Sequence, residues 1–136
     1  MVTIKRLTAM TADILLVDDN AIQATTRRSI LLRTGRTVAV ALEPLEALDM
    51  LKDDELVDSI GLVITDHYMP GMQGPEFVAE IRRVLPSVPV LVLSGFSDVE
   101  HEYEGLNILF RMKPIAPEQL IAMAKTLLDP PLTRTA

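Results

Sequence analysis

The chain has 136 residues, of which 49% are hydrophobic and 24% charged, and these values are typical of one folded domain. Nineteen acidic residues against thirteen basic ones give a formal charge of −6, and the basic residues are scattered, which argues against general nucleic-acid binding. The chain has no cysteine, which excludes disulfides, thiolate catalysis and Cys-ligated zinc. Its apolar runs are too short to span a bilayer. We therefore expect a soluble cytoplasmic protein with neither nucleic-acid nor membrane partners.

Both ends of the chain are predicted to lie outside the folded domain. Residues 1–12 are expected to be an N-terminal extension, because Met10 begins a segment that would suit the start of a domain. The domain itself is predicted over residues 13–128. Residues 129–136, which contain two prolines and two threonines, are expected to be a flexible tail.

Short apolar runs alternate along the chain with segments of helical character. The runs predict strands at 14–17, 37–41, 62–65, 89–93 and 108–112. Helices are predicted at 21–34, 44–52, 75–85 and 117–128, with a short and weaker one at 98–104. In the first helix the apolar positions are Ile22, Ile30, Leu31 and Leu32. Because short runs rich in branched residues suit strands buried on both faces, the alternation predicts an α/β fold with a parallel sheet and right-handed crossovers.

Polar residues follow four of the predicted strands at their carboxyl ends, where ligands bind in such folds. Asp18 and Asp19 close the first strand, Asp66 the third, Ser94 the fourth and Lys113 the fifth. Two unit charges about 4 Å apart interact by roughly 4 kcal/mol at an effective dielectric of 20, so three carboxylates in one crevice repel each other strongly. A hard cation such as Mg²⁺ relieves that repulsion. A cation, a lysine and a hydroxyl around one carboxylate suit phosphoryl transfer to aspartate, and this edge is therefore a predicted phosphorylation site.

These positions lie in four segments that together resemble the response-regulator receiver domain. The segments are 15–20 (LLVDDN), 62–74 (LVITDHYMPGMQG), 92–95 (VLSG) and 112–114 (MKP). The resemblance extends over residues 13–128 with the motifs in the family's order. It implies a flavodoxin-like three-layer sandwich with a five-stranded parallel sheet of order 2-1-3-4-5 and helices on both faces. The fourth helix is expected to be short, because the interval from Ser94 to Lys113 is compact.

The resemblance also implies an acceptor and a metal site. Asp66 would accept the phosphoryl group. Mg²⁺ would be held by Asp18, Asp19 and Asp66, with the backbone carbonyl of Tyr68 as a further ligand.

Further roles implied by the resemblance concern the phosphoryl group and the response to it. Ser94 and Lys113 would bind the phosphoryl oxygens. Ser94 and Phe110 would be the switch positions, with Ser94 moving towards the phosphoryl group and Phe110 turning inward. The peptide bond between Lys113 and Pro114 is expected to be cis, as in the family.

The function implied is that of a phospho-accepting receiver in a two-component phosphorelay of bacterial signalling. A sensor histidine kinase or histidine phosphotransfer protein would donate the phosphoryl group, and a downstream protein target would bind the changed surface. The receiver would be a monomer or weak dimer. It would promote its own phosphorylation and dephosphorylation without turning over a separate substrate. Both a stand-alone receiver and a receiver of a hybrid histidine kinase are compatible with the sequence.

Other interpretations remain open at this stage. The chain could be a receiver-shaped interaction module that is never phosphorylated. An aspartate-nucleophile phosphatase is disfavoured, because Tyr68 stands where such enzymes carry a second carboxylate, two residues after the nucleophile. A flavodoxin-like cofactor binder is disfavoured as well, because the first strand leads into Asp-Asp-Asn and not into a phosphate-binding loop. Asp18 and Asp19 could also be an N-cap pair for the first helix.

Overall fold

The computed structural model describes residues 10–129. Most of the predicted extension (1–12) and of the predicted tail (129–136) therefore lies outside the described residues. The strands are β1 (Ile14–Val17), β2 (Val38–Ala41), β3 (Leu62–Asp66), β4 (Val90–Ser94) and β5 (Leu109–Met112). The helices are α1 (Ala21–Leu32), α2 (Pro44–Met50), α3 (Asp54–Ser59), α4 (Gly74–Val84) and α5 (Pro117–Leu128), with a 3-10 helix at Ser97–Tyr103. None of these helices is long and apolar enough to cross a lipid bilayer.

The five strands form one parallel sheet in the order β2-β1-β3-β4-β5, which confirms the predicted topology. Every residue of β1, β3 and β4 is buried, whereas β2 and β5 at the edges are partly exposed. The apolar runs of the central strands follow from this, since helices cover both faces of the sheet. The parallel register brings the carboxyl ends of β1, β3, β4 and β5 to one edge.

Two hydrophobic cores lie on opposite faces of the sheet, because successive strand side chains point to opposite sides. Ile14 and Leu16 pack with residues of α1 and α5. Leu15 and Val17 pack with residues of α2, α3, α4 and the 3-10 helix. Phe77, the largest fully buried side chain of the described residues, belongs to this second core. The expected three layers are thus present.

The first helix differs from its prediction in which residues it buries. Ile22 was expected to be an apolar contact but is 80% exposed, and Leu32 is also exposed. The buried face of α1 consists instead of Ala24, Arg27 and Leu31, which recur at intervals of three and four residues. A charged residue therefore occupies the middle of the buried stripe.

Helix α3 was not predicted, whereas the short helix before β5 was. The side chain of Asp53 accepts a hydrogen bond from the amide of Leu56 and thereby caps α3. Leu56 is the one fully buried residue of this helix, so the sequence shows no apolar stripe there. The predicted short helix is the 3-10 helix Ser97–Tyr103.

The loops that precede β4 and β5 are held by one arginine of α4. Arg82 donates hydrogen bonds to four backbone carbonyls, at distances of 2.6–3.0 Å. The acceptors are Leu85, Val88, Leu106 and Asn107. Burial lowers the pKa of Arg82 from its ordinary value. This side chain therefore fixes the compact segment that follows the 3-10 helix.

Candidate functional site

Asp66 ends β3 and lies between two cationic side chains. Its Oδ1 accepts a hydrogen bond from Nη1 of Arg27 at 2.9 Å and another from Nζ of Lys113 at 3.2 Å. The Asp66 side chain is 3% exposed, whereas that of Lys113 is 31% exposed. Asp66 and Lys113, which were predicted to lie at the same edge of the sheet, are therefore in direct contact there. A carboxylate at this position is shielded from bulk water yet reachable beside Lys113.

The carboxylates of Asp18, Asp19 and Asp66 form one cluster. Each offers an oxygen, and these oxygens lie within 4.8 Å of one another. Asp18 and Asp66 are buried, whereas Asp19 is exposed. Three carboxylates so arranged are a donor set that suits a hard divalent cation with water completing the coordination. The acidic pocket expected from the sequence is therefore present.

Asp18 experiences opposing influences on its ionisation. Burial, which disfavours the charged form, raises the pKa of Asp18 to about 6, and the neighbouring Asp66 adds to that rise. The amide of Asn20, which donates to Oδ1 at 3.0 Å, and the charge of Arg27 both oppose it. The N-cap of α1 is Asn20, whose side chain accepts from the amide of Gln23. The aspartate pair is therefore free of that structural role.

Arg27 is a member of the site that sequence reasoning missed. Its Nη1 atom donates to Oδ2 of Asp18 and to Oδ1 of Asp66, each at 2.9 Å, and its side chain is only 8% exposed. The signal was present in the sequence, since Arg27 follows Ala24 by three residues and precedes Leu31 by four. A charged side chain in a buried helical stripe needs an oppositely charged partner, and the carboxylates of Asp18 and Asp66, at the carboxyl ends of β1 and β3, provide it.

The predicted switch residues are both buried. The hydroxyl of Ser94 exchanges hydrogen bonds with the backbone of Phe96, at 2.9 and 3.1 Å. The Phe110 ring is already inside, at 9% exposure, so an inward turn on phosphorylation would have little distance to cover. The position after Ser94 is open, because a Cβ atom built on Gly95 would meet nothing within 4 Å. The switching roles of Ser94 and Phe110 stay predictions.

Two further predicted positions lie at the rim of the site. The Tyr68 side chain is 76% exposed, in the loop that follows β3. The peptide bond between Lys113 and Pro114 is cis. The role of the Tyr68 carbonyl as a metal ligand stays a prediction.

A second contact that the sequence did not reveal connects the loop after Asp66 to the 3-10 helix. A hydrogen bond of 2.7 Å joins Nδ1 of His67 and the hydroxyl of Tyr103, which lie 36 residues apart. The two rings meet edge to face, and the Tyr103 ring also contacts that of Phe110. Burial raises the pKa of Tyr103 above its ordinary value. Tyr103 therefore connects His67, the residue next to the candidate acceptor, with Phe110, one of the predicted switch residues.

The family model "Response regulator receiver domain" matches residues 14–125, which include every member of the site described above. The chain belongs to the response-regulator receiver family. The match confirms the resemblance on which the predicted fold and function rested.

Among curated proteins, this receiver is similar to regions of longer response regulators. It is 35% identical over 111 residues to the putative two-component response regulator ARR21 of Arabidopsis thaliana, covering 79% of this chain and 18% of that protein. It is 33% identical over 132 residues to the transcriptional regulatory protein ZraR of Klebsiella oxytoca, covering 90% and 29% respectively. It is 33% identical over 123 residues to the response regulator MprA of Mycobacterium bovis, covering 88% of this chain and 51% of that protein. The chain thus spans about half or less of the length of these relatives.

Solved structures agree with the fold. A response regulator receiver protein from Sinorhizobium medicae superimposes with a TM-score of 0.76 at 27% identity, covering 90% of this chain and 98% of that one. The chemotaxis protein CheY4 of Vibrio cholerae gives a TM-score of 0.74 at 25% identity, covering 86% and 98%. Both comparisons confirm a five-stranded doubly wound receiver fold.

Proposed function

We propose that this receiver accepts a phosphoryl group on Asp66 from a phosphohistidine, and that the modification changes a protein-binding surface. The observation that carries the proposal is the position of the Asp66 carboxylate, which lies within hydrogen-bonding distance of Lys113 and in the same oxygen cluster as Asp18 and Asp19. A charge arrangement of this kind stabilises a transferring phosphoryl group.

In the transfer step, an oxygen lone pair of Asp66 attacks phosphorus while the bond between phosphorus and the donor histidine nitrogen breaks. The electron pair of that bond stays on the imidazole, which takes up a proton. Lys113 would hold the phosphoryl oxygens, and the contact of its ammonium with the acceptor carboxylate supports this role. Ser94 ends the neighbouring strand and would exchange its bonds with the Phe96 backbone for one to the phosphoryl group.

Asp18, Asp19 and Asp66 are the residues that would hold Mg²⁺, with the Tyr68 carbonyl as a further ligand. The oxygen donors of the pocket suit that ion in kind and in number. When bound, Mg²⁺ supplies positive charge that neutralises the phosphoryl oxygens. Arg27 contacts two of the three carboxylates in the structure, and its charge, like that of Lys113 beside Asp66, opposes the ion.

The surface proposed to change lies beyond β5. A groove of about 720 Å³ lies there, and Phe110 forms part of its wall. Its other lining residues include Ser97, Glu100, Arg111, Met112 and residues of α5. A phosphoryl group adds a charge of about −1.5 to −2 beside Ser94 and Lys113. Both residues adjoin this groove in sequence, so rearrangement of their loops would alter it. A downstream protein target would distinguish the two states here.

Acceptance can be tested by intact-mass spectrometry after incubation with acetyl phosphate and Mg²⁺. The protein should gain one phosphoryl group, and EDTA should prevent the gain. Asp66→Asn should gain none. The matched control Asp58→Asn changes an exposed aspartate of α3, which precedes the opposite end of β3, and should gain as the unaltered chain does.

A chain that gains no phosphoryl group should next be tested for beryllofluoride binding by calorimetry. Failure of both tests would contradict the proposal and favour the interaction module that is never phosphorylated.

A further inference from the structure

Arg27 places a fixed positive charge between two carboxylates of the acidic pocket. One nitrogen, Nη1, contacts Oδ2 of Asp18 and Oδ1 of Asp66 at the same distance of 2.9 Å. The three side chains are at least nine-tenths buried. Arg27 therefore makes its two contacts away from bulk water, where electrostatic interactions are strongest.

The charges of the pocket show what this arginine contributes. Asp18, Asp19 and Asp66 bring three negative charges, and Lys113 neutralises one of them. Arg27 neutralises a second, which leaves the pocket one negative charge. Removal of Arg27 would double the net negative charge that a divalent cation meets.

The same contacts also occupy ligand atoms. A cation bound by the cluster needs carboxylate oxygens of Asp18 and Asp66, and Nη1 of Arg27 holds one oxygen of each. Guanidinium and metal ion thus compete for the same two groups, by charge and by contact.

We infer that Arg27 is an internal counter-ion that competes with Mg²⁺ for Asp18 and Asp66, so that metal binding displaces its guanidinium from the pocket. This inference rests on the proposed function only for the identity of the metal. Arg27 then determines the Mg²⁺ concentration at which the pocket fills, and in the metal-free protein it holds the carboxylates of Asp18 and Asp66 together. It acts on the reaction through the carboxylates and is a positioning residue.

Isothermal titration of MgCl₂ into metal-free protein, without phosphodonor, tests the inference. Arg27→Gln should bind Mg²⁺ about tenfold more tightly than the unaltered chain, because a desolvated unit charge is removed from the ligands. The matched control is Arg28→Gln, which removes the same charge one residue along α1, on its exposed face. Its affinity should stay within about threefold of the unaltered chain, because exposed charges are screened.

Thermal unfolding of the same proteins separates competition from a merely structural role. Arg27→Gln should unfold at a lower temperature than the unaltered chain in EDTA, and most of the difference should disappear in saturating Mg²⁺. A purely structural arginine would give the same loss in both conditions. An unchanged or weaker Mg²⁺ affinity of Arg27→Gln, or no measurable binding by either protein, would overturn the inference.

A measurement on the unaltered chain covers the case in which Arg27→Gln does not fold. Side-chain ¹⁵N NMR should show the Arg27 guanidinium with hindered rotation in EDTA and with rapid rotation in saturating Mg²⁺. An unchanged Arg27 signal at saturation would overturn the inference. Phosphorylation enters none of these measurements, so failure of the proposed function would show only in the intact-mass assay, as an absent phosphoryl gain.

Discussion

Gly74 is the first residue of α4, after the loop that follows Asp66. An alanine there would clash with His67 and Tyr103, which are hydrogen-bonded to each other. A Cβ atom at this position would lie 2.0 Å from the Tyr103 hydroxyl and 2.7 Å from the His67 carbonyl oxygen. Nδ1 of His67 would be 3.1 Å away. The second contact involves backbone, so a side-chain rotation alone does not relieve the crowding.

The magnitude follows from the kind of overlap. Forcing one extra carbon into a well-packed site costs typically about 1–3 kcal/mol. The better helix propensity of alanine offsets part of that, at most about 1 kcal/mol. We expect Gly74→Ala to lower the free energy of unfolding by roughly 2 kcal/mol. Gly95→Ala is the matched control, because nothing lies within 4 Å of its Cβ position, and it should be neutral or stabilising by up to about 1 kcal/mol.

Urea unfolding of a double-mutant cycle with Tyr103→Phe locates the collision. Removing the hydroxyl abolishes the shortest contact, so Gly74→Ala should cost at least about 0.5 kcal/mol less in the Tyr103→Phe background. Tyr103→Phe alone should cost about 1 kcal/mol for its lost hydrogen bond. Equal costs of Gly74→Ala in both backgrounds, or a cost no larger than that of Gly95→Ala, would refute the reasoning.

Three other predictions concern ionisable side chains. Burial gives Asp18 a folded pKa of about 6 against about 3.9 unfolded, so its neutral form favours the fold below pH 4. That contribution, at most about 3 kcal/mol, is lost as pH rises through 6. In metal-free protein the free energy of unfolding should therefore fall between pH 4 and 6, and this fall should be absent in Asp18→Asn. Arg82→Ala should cost about 2–4 kcal/mol in urea unfolding, because four carbonyls lose their donor, whereas the exposed neighbour Arg83→Ala should stay within about 0.5 kcal/mol. Lys113→Gln should slow phosphoryl gain from acetyl phosphate at least about tenfold in a mass-spectrometric time course, because the ammonium beside Asp66 is removed.

Each of these predictions has an opposite result that would count against it. Parallel pH profiles of Asp18→Asn and the unaltered chain would show that Asp18 does not titrate abnormally. Equal costs for Arg82→Ala and Arg83→Ala would remove the role assigned to the four carbonyl contacts. An unchanged time course for Lys113→Gln would exclude its ammonium from phosphoryl binding.

The sheet and its functional edge were predictable because both depend on local sequence. Short branched runs mark buried parallel strands wherever they occur, and a polar residue directly after such a run must lie at the carboxyl edge. Asp66 and Lys113 are 47 residues apart in the chain, yet the topology alone brings them together. The family motifs then added roles that the positions alone leave open.

Arg27 and Tyr103 were missed for physical reasons. The helical stripe of α1 was assigned from its hydrophobic residues, so Ile22 was counted as part of it and Arg27 was not considered. Burial of an arginine depends on carboxylates supplied by other strands, and apolar periodicity does not show such partners. Tyr103 contacts His67 across the compact loop before β5, whose path depends on a 3-10 helix and on Arg82. Its position follows from tertiary packing and not from spacing in the sequence.

Locating the phosphoryl group tests the central claim most directly. After reaction with acetyl phosphate and Mg²⁺, borohydride reduction converts an aspartyl phosphate to homoserine, which tandem mass spectrometry of peptides can place in the chain. The account predicts homoserine at position 66 alone, and none in Asp66→Asn. Homoserine at Asp18 or Asp19, or phosphorylation that persists in Asp66→Asn, would contradict the assignment of Asp66 as the acceptor.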